Sequence, residues 1–294
     1  MNLDGLRPWA GLEGASIDDA DVVVAGIPYD GSAVYRKGAA LAPLRLRSLS
    51  AAIPPVTEDG RPLKGLRLHD MGDLDAGADI ETGWSKVADR LAQVRPESFL
   101  TVLGGDHCTA IATLQAQARR HPDVSLLWVD AHPDLCDYSR GGRWTCGCAM
   151  RRALEVSGID PGRVVIAGGR DYDPEELDFI RSRGVLLVTA RELAGDPLRM
   201  AQAIAHQLAG KKVHVSFDID ALDPAFAPGT EIPSPGGMST RQALEMLRTA
   251  TAGSRPVGFD IVEVSPPFDN GDITSFAALK LIFEFWGMSW NGNR

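Results

Sequence analysis

Three short polar clusters and one glutamate could do chemistry in this chain of 294 residues. The clusters are Gly104-Gly105-Asp106-His107, Asp130-Ala131-His132-Pro133-Asp134 and Asp218-Ile219-Asp220, and the glutamate is Glu263. Their ligand-type side chains are His107, Asp130, His132, Asp134, Asp218 and Asp220. Many carboxylate oxygens with little imidazole suit Mn²⁺ better than Zn²⁺ or Cu²⁺. Six protein groups exceed what one metal with an open position needs. Bridging carboxylates would hold two metals about 3.5–4 Å apart, where they share one water, lower its pKa and keep it as a nucleophile. Each cluster also has a bland reading. GGDH alone makes a tight turn, and Asp-x-Asp caps helices. Asp-x-His-x-Asp directly after a buried strand is harder to explain without a metal, and the three in order at matching strand ends leave the bland reading little room.

Such clusters need a scaffold that gathers them. Apolar runs at 21–27, 66–70, 99–103, 124–129, 163–167, 185–189, 213–217 and 257–262 read as strands. Several are apolar nearly throughout, as strands covered on both faces are. Helical patterns fall near 84–94, 107–120, 146–156, 174–182, 197–209, 239–252 and 273–287. The alternation predicts an α/β protein with a mainly parallel sheet. The three clusters directly follow the third, fourth and seventh runs and Glu263 follows the eighth, so they converge at the carboxyl edge of such a sheet, where ligands of open α/β sheets bind. Eight strands also allow a closed barrel, which periodicity does not exclude. No linker, repeat or low-complexity segment interrupts residues 1–294, which read as a single domain.

Composition narrows the partners. Net charge is −9, with 44% hydrophobic and 23% charged residues, ordinary for a soluble globular protein. No basic tract supports nucleic-acid binding, and a negative field favours cationic small molecules. No apolar stretch approaches the roughly 18 residues that span a bilayer. The start, Met1-Asn2-Leu3-Asp4, lacks the basic-then-apolar pattern of a secretory signal. The four cysteines, Cys108, Cys136, Cys146 and Cys148, do not form the framework of a secreted disulfide scaffold. Reduced thiols and a cytoplasmic location are expected.

With these motifs the sequence resembles the ureohydrolase (arginase/agmatinase) family, in particular its agmatinase-like branch. GGDH at 104–107, DAHPD at 130–134 and SFDIDALDPAFAPGTEIPSPGG at 216–237 follow the family pattern, with Glu263 in DIVEVSPPFD. Residues 26–50, the HDMGD at 69–73 and the DITSFAALKLIFE near the C-terminus extend the likeness over roughly residues 20 to 287. The resemblance implies one metal, typically Mn²⁺ with other divalent ions possible, on His107, Asp130, Asp134 and Asp218. It implies a second on Asp130, His132, Asp218 and Asp220, with Asp130 and Asp218 bridging. Glu263 would pair with a substrate guanidinium or amidinium. The implied fold is a three-layer α/β/α sandwich around an eight-stranded, mainly parallel sheet, which demotes the barrel, and the implied assembly is a homotrimer or homohexamer.

The sequence also departs from the pattern. A family histidine, proposed to shuttle protons, is replaced by Cys146; the thiol either takes over proton transfer or only lines the pocket. The family's GTGTP reads Gly229-Thr230-Glu231-Ile232-Pro233, putting a carboxylate and an apolar side chain where a glycine and a hydroxyl are usual. Glu231 either receives a cationic part of the substrate or faces solvent. Glu263, Glu231, Ile232 and Cys136 are the candidate substrate contacts, and Asp130, Asp218, Glu263 and Cys146 the candidate catalytic groups. Residues 135–145 lack the loop by which arginases hold an α-amino acid, so arginine is a poor candidate. The expected reaction is hydrolysis of a guanidino C–N bond with release of urea. The alternatives are a formimino- or N-hydroxyguanidine hydrolase on the same fold, and a non-catalytic binding paralogue, whose expected mark, a broken ligand set, is absent.

Overall fold

A computed structural model describes residues 7–77 and 79–290. The N-terminal reading of Met1 to Asp4 lies outside the described residues. Among the described residues nine strands form one parallel sheet: β1 (Glu13–Gly14), β2 (Val22–Gly26), β3 (Arg67–Asp73), β4 (Phe99–Leu103), β5 (Ser125–Val129), β6 (Val164–Gly169), β7 (Leu186–Thr189), β8 (Lys212–Asp218) and β9 (Arg255–Val262). Their order is β1-β3-β2-β4-β9-β8-β5-β6-β7. The sheet is open, with β1 and β7 at its edges, so the barrel is excluded. Nine strands rather than eight are present because the two-residue β1, both residues exposed, is too short to carry an apolar pattern.

The strands alternate their side chains between two cores. Val22 and Val24 face one, and Val23 and Ala25 the other. The first core is closed by helices α1 (Ala42–Ser50), α7 (Pro197–Leu208), α8 (Thr240–Thr251) and α9 (Ile273–Ser289), with Leu193 of α6 (Ala190–Gly195) beside them. The second lies under α2 (Ile80–Leu91), α3 (Thr109–Arg120), α4 (Ala149–Ser157) and α5 (Pro174–Arg183). The result is three layers. Helix starts follow local capping chemistry: Ser239 with Gln242 opens α8, and Asp173 with Glu176, followed by Pro174, opens α5. Helix α1 escapes the periodic reading because Leu44 is exposed while Leu46 and Leu49 are buried. Among the described residues no helix is long and apolar enough to cross a membrane.

Candidate metal centre

The four central strands β4, β9, β8 and β5 end on the same edge, and their C-terminal turns carry the polar clusters. The turn after β4 must be tight. A side chain at Gly105 would collide with the Tyr29 carbonyl, and Asp106 N–H donates to that carbonyl at 2.7 Å. The turn leads into α3 and places His107 inward, its ring stacked on Trp128 at 3.8 Å between centroids.

His107 Nδ1 faces three carboxylate oxygens: Asp130 Oδ2 at 2.9 Å, Asp218 Oδ2 at 3.1 Å and Asp134 Oδ2 at 3.3 Å. His132 Nδ1 lies 3.1 Å from Asp220 Oδ2 and 3.5 Å from the other oxygen of Asp130, Oδ1. Two ligand groups thus share Asp130, one of His107, Asp130 and Asp218 and one of Asp130, His132 and Asp220. All six side chains named from the sequence meet here. Five are buried, whereas the His132 side chain is 28% exposed. Asp134 takes a left-handed φ of 53°, an uncommon conformation outside glycine that turns its carboxylate back toward His107.

Behind His107 a buried chain of hydrogen bonds selects the ring nitrogen that carries the proton. Gln117 accepts from Arg120 through its oxygen (2.6 Å) and donates through its nitrogen to His214 Nδ1 (2.8 Å). His214 therefore holds its proton on Nε2 and donates to Asp260 Oδ2 at 2.6 Å. Ser216 Oγ–H donates to Asp260 Oδ1 at 2.6 Å, and so accepts from His107 Nε2–H at 3.0 Å. That leaves the lone pair of Nδ1 pointing at carboxylate oxygens. Neither Nδ1 nor Asp130 Oδ2 has a hydrogen-bond partner, although they lie 2.9 Å apart. A lone pair facing anions is repulsive unless positive charge enters between them, so the donor set fits a divalent cation. In the metal-free protein protons are drawn into the same gap. Burial disfavours charge on His107, but Asp130 outweighs it and holds the imidazole up at about 9. Burial, reinforced by neighbouring carboxylates, pushes Asp134 and Asp218 well above the usual carboxylate range.

The relay residues Gln117, His214, Ser216 and Asp260 escape a reading that looks only at strand ends. For His214, Ser216 and Asp260 the signal is polarity inside apolar strands, whereas Gln117 lies on α3. His214, Ser216 and Asp218 share one face of β8, and Ser216 lies opposite Asp260 of β9 in the register.

Beyond the ligand groups a second cluster gathers Cys146, Glu231 and Glu263, each offering an atom within 4.8 Å of the others. Glu263 takes a φ of 62° just after β9, and its N–H is tied to Gly105 O at 2.8 Å. Its Oε1 accepts from the backbone N–H of His107 at 2.8 Å, while Oε2 is buried without a partner. Glu231 is only 3% exposed, so of the two orientations open to it the structure takes the inward one. Its Oε1 accepts from the backbone N–H groups of Val34 and Tyr35. Cys146 Sγ sits 3.3 Å from Ser32 Oγ and 3.7 Å from Glu231 Oε2. Burial, with Asp106 and Glu263 nearby, pushes its thiol well above its ordinary pKa. Ile232 is half-buried next to Glu231. Cys136 is not brought into this cluster: its Sγ donates to Asp173 Oδ2 at 3.4 Å, in a group with Glu176.

The pattern of the arginase family matches residues 20–287. Proclavaminate amidinohydrolase of Streptomyces clavuligerus is 38% identical over 271 residues, covering 89% of this chain and 85% of that protein. Its solved structure superposes with a TM-score of 0.88 at 34% identity, over 98% of both chains. Guanidinobutyrase of Pseudomonas aeruginosa is 34% identical, over 92% of this chain and 86% of its own. The structure of Trypanosoma cruzi formiminoglutamase with two Mn²⁺ gives a TM-score of 0.85 at 25% identity, over 95% of this chain and 97% of that one.

Proposed function

The chain belongs to the arginase family, and from that premise we propose that it is a dimanganese amidinohydrolase that cleaves a non-arginine guanidino compound and releases urea. The observation that carries this reading is the pair of ligand groups sharing Asp130, beside a buried glutamate with one oxygen left free. His107, Asp130, Asp134 and Asp218 would hold one ion, and Asp130, His132, Asp218 and Asp220 the other. When bound, such a pair supplies the Lewis acidity that makes water a nucleophile at neutral pH.

The chain's own groups do the rest. The free Oε2 of Glu263 receives N–H groups of the guanidinium, and the His107 N–H on Oε1 fixes the carboxylate's aim. Burial of Glu263 and Asp218 keeps competing water away and strengthens that contact. In the balanced reaction an alkylguanidinium and water give an alkylammonium and urea. Cys146 lines the pocket in this reading, because a thiol held above its ordinary pKa is a poor proton shuttle at neutral pH. The carboxylate at 231 and the apolar side chain at 232 favour a guanidino compound other than arginine or agmatine, in line with relatives named for guanidinobutyrate and proclavaminate chemistry. A cytoplasmic homotrimer or homohexamer completes the proposal.

The test is a panel of guanidino acids, agmatine, arginine and a formimino amino acid on Mn²⁺-loaded protein. Urea should form from a guanidino acid with kcat/KM of about 10⁴ M⁻¹s⁻¹ or more. Formamide from the formimino compound, without urea from any other, would move the chain to its alternative class. An agmatine value well above the rest would refute the substrate reading.

A further inference from the structure

We infer that Glu231 is a second carboxylate for the substrate's cationic carbon centre, acting with Glu263 as a two-sided clamp that selects guanidinium ions with unsubstituted NH₂ ends. This rests on the amidinohydrolase reading and narrows its substrate class.

Two buried carboxylates face each other here, Glu231 at 3% and Glu263 at 5% exposure, with oxygens within 4.8 Å. Among the described residues no arginine or lysine side chain is hydrogen-bonded to either carboxylate: Arg36 reaches this loop but binds the carbonyl oxygens of Thr230 and Glu231. Buried like charges at this distance are costly unless a cation or proton lies between them. Glu263 Oε1 is taken by the His107 N–H, and Oε2 is buried without a hydrogen-bond partner.

The spacing suits one nitrogen chemistry. The two N–H bonds of a planar NH₂ group diverge by about 120°, and hydrogen bonds of about 2.9 Å along them put two acceptors about 5 Å apart. An NH₂ end of a guanidinium therefore bridges the two glutamates. Guanidinium is also a permanent cation with donors on every edge, as a pair of buried anions requires. A methyl or hydroxyl on the terminal nitrogen removes one donor and leaves a buried carboxylate oxygen unpaired, and a site built for hydrogen bonds rejects ligands that lack them.

Glu231 is also anchored. Its Oε1 takes two backbone N–H groups from the segment that begins at Ser32, so the carboxylate is held in place before any ligand arrives. That staple would exist for a purely structural Glu231 as well, and the test must separate the two roles. Glu231→Gln does so, because the amide oxygen keeps the staple while the charge is lost.

The probes are methylguanidine and N,N′,N″-trimethylguanidine, which keeps the positive charge but has no NH₂ end, titrated calorimetrically into Mn²⁺-loaded protein at constant ionic strength. Wild type should bind methylguanidine at least ten-fold more tightly. Glu231→Gln should weaken methylguanidine at least ten-fold, reduce the discrimination to about three-fold or less, and keep two metals per chain and an unchanged thermal midpoint. On any guanidino substrate turned over, the loss should lie mainly in KM. Unchanged methylguanidine affinity and unchanged discrimination in a folded, metal-loaded Glu231→Gln protein would overturn the clamp. Failure of every guanidino compound to yield urea would instead overturn the amidinohydrolase reading, and the binding titration would still decide the role of Glu231.

Discussion

Ser216→Ala isolates the relay behind His107. The hydroxyl donates a charge-assisted hydrogen bond to Asp260 and accepts one from His107 Nε2–H, and all three side chains are buried. Losing the first contact costs about 1.5–3 kcal/mol and the second about 1 kcal/mol, so the metal-free protein should lose roughly 2.5–4 kcal/mol. At this chain length that is a fall of several degrees in Tm, at about 2 °C or more per kcal/mol. The larger consequence concerns the tautomer. With no acceptor at Nε2, the tautomer that frees Nδ1 for a metal loses its support, and a single proton is favoured on Nδ1, beside the carboxylates of Asp130, Asp134 and Asp218. Mn²⁺ affinity should fall about 10–100-fold, the usual effect of removing such a supporting partner. Ser125 supplies the control, being a buried serine on β5 whose hydroxyl has no partner. Ser125→Ala should change neither stability nor metal affinity appreciably. Calorimetric Mn²⁺ titration and thermal denaturation of both variants read this out. Wild-type metal affinity in Ser216→Ala, or equal losses in the two variants, would refute the tautomer argument.

The remaining predictions address the site itself. Asp130→Asn should abolish turnover and lower metal content below two per chain, since the residue serves both ligand groups; full metal with unchanged kcat contradicts the sharing. Glu263→Gln should raise KM or lower kcat while metal stays near two per chain, and metal loss in that variant would make Glu263 a ligand. Cys146→Ala should keep kcat within ten-fold, because removing a general acid or base costs about 10²–10⁴-fold; a larger loss, with metal retained, restores the shuttle role. The metal-free protein should lose stability with rising pH. His107 is raised from 6.5 to about 9, so its contribution is complete below about pH 6.5 and vanishes as pH passes 9, and the raised Asp134 and Asp218 act in the same direction. Metal binding needs the deprotonated ligands, so the Tm difference between loaded and metal-free protein should widen from pH 6 to 9, and a constant difference would count against this site.

The strand ends were legible because each ligand cluster directly follows an apolar run, and because a parallel sheet sends all such ends to one edge. Among the described residues, eight of the nine strands and seven of the nine α-helices appear where periodicity places them. What escaped had weak local signals. The exposed two residues of β1 and the irregular leucines of α1 carry no clean period. The inward turn of Glu231 depends on backbone N–H groups of Val34 and Tyr35, nearly two hundred residues away, and no local rule reports such a contact. Cys136 lies near the ligand motif in sequence yet faces Asp173 in space, so proximity along the chain misleads there.

The place of β9 in the sheet order has a consequence for biosynthesis. This last strand inserts between β4 and β8, so until residue 255 has been made those two strands have no partner on their facing sides. A nascent chain thus presents two open, apolar edges in the middle of its future core, the kind of surface that invites wrong pairing. The same strand brings Asp260, which sets the His107 tautomer, and leads into Glu263. Metal capture is thereby tied to completion of the polypeptide, and chains cut short before β9 should neither bind Mn²⁺ tightly nor stay in solution.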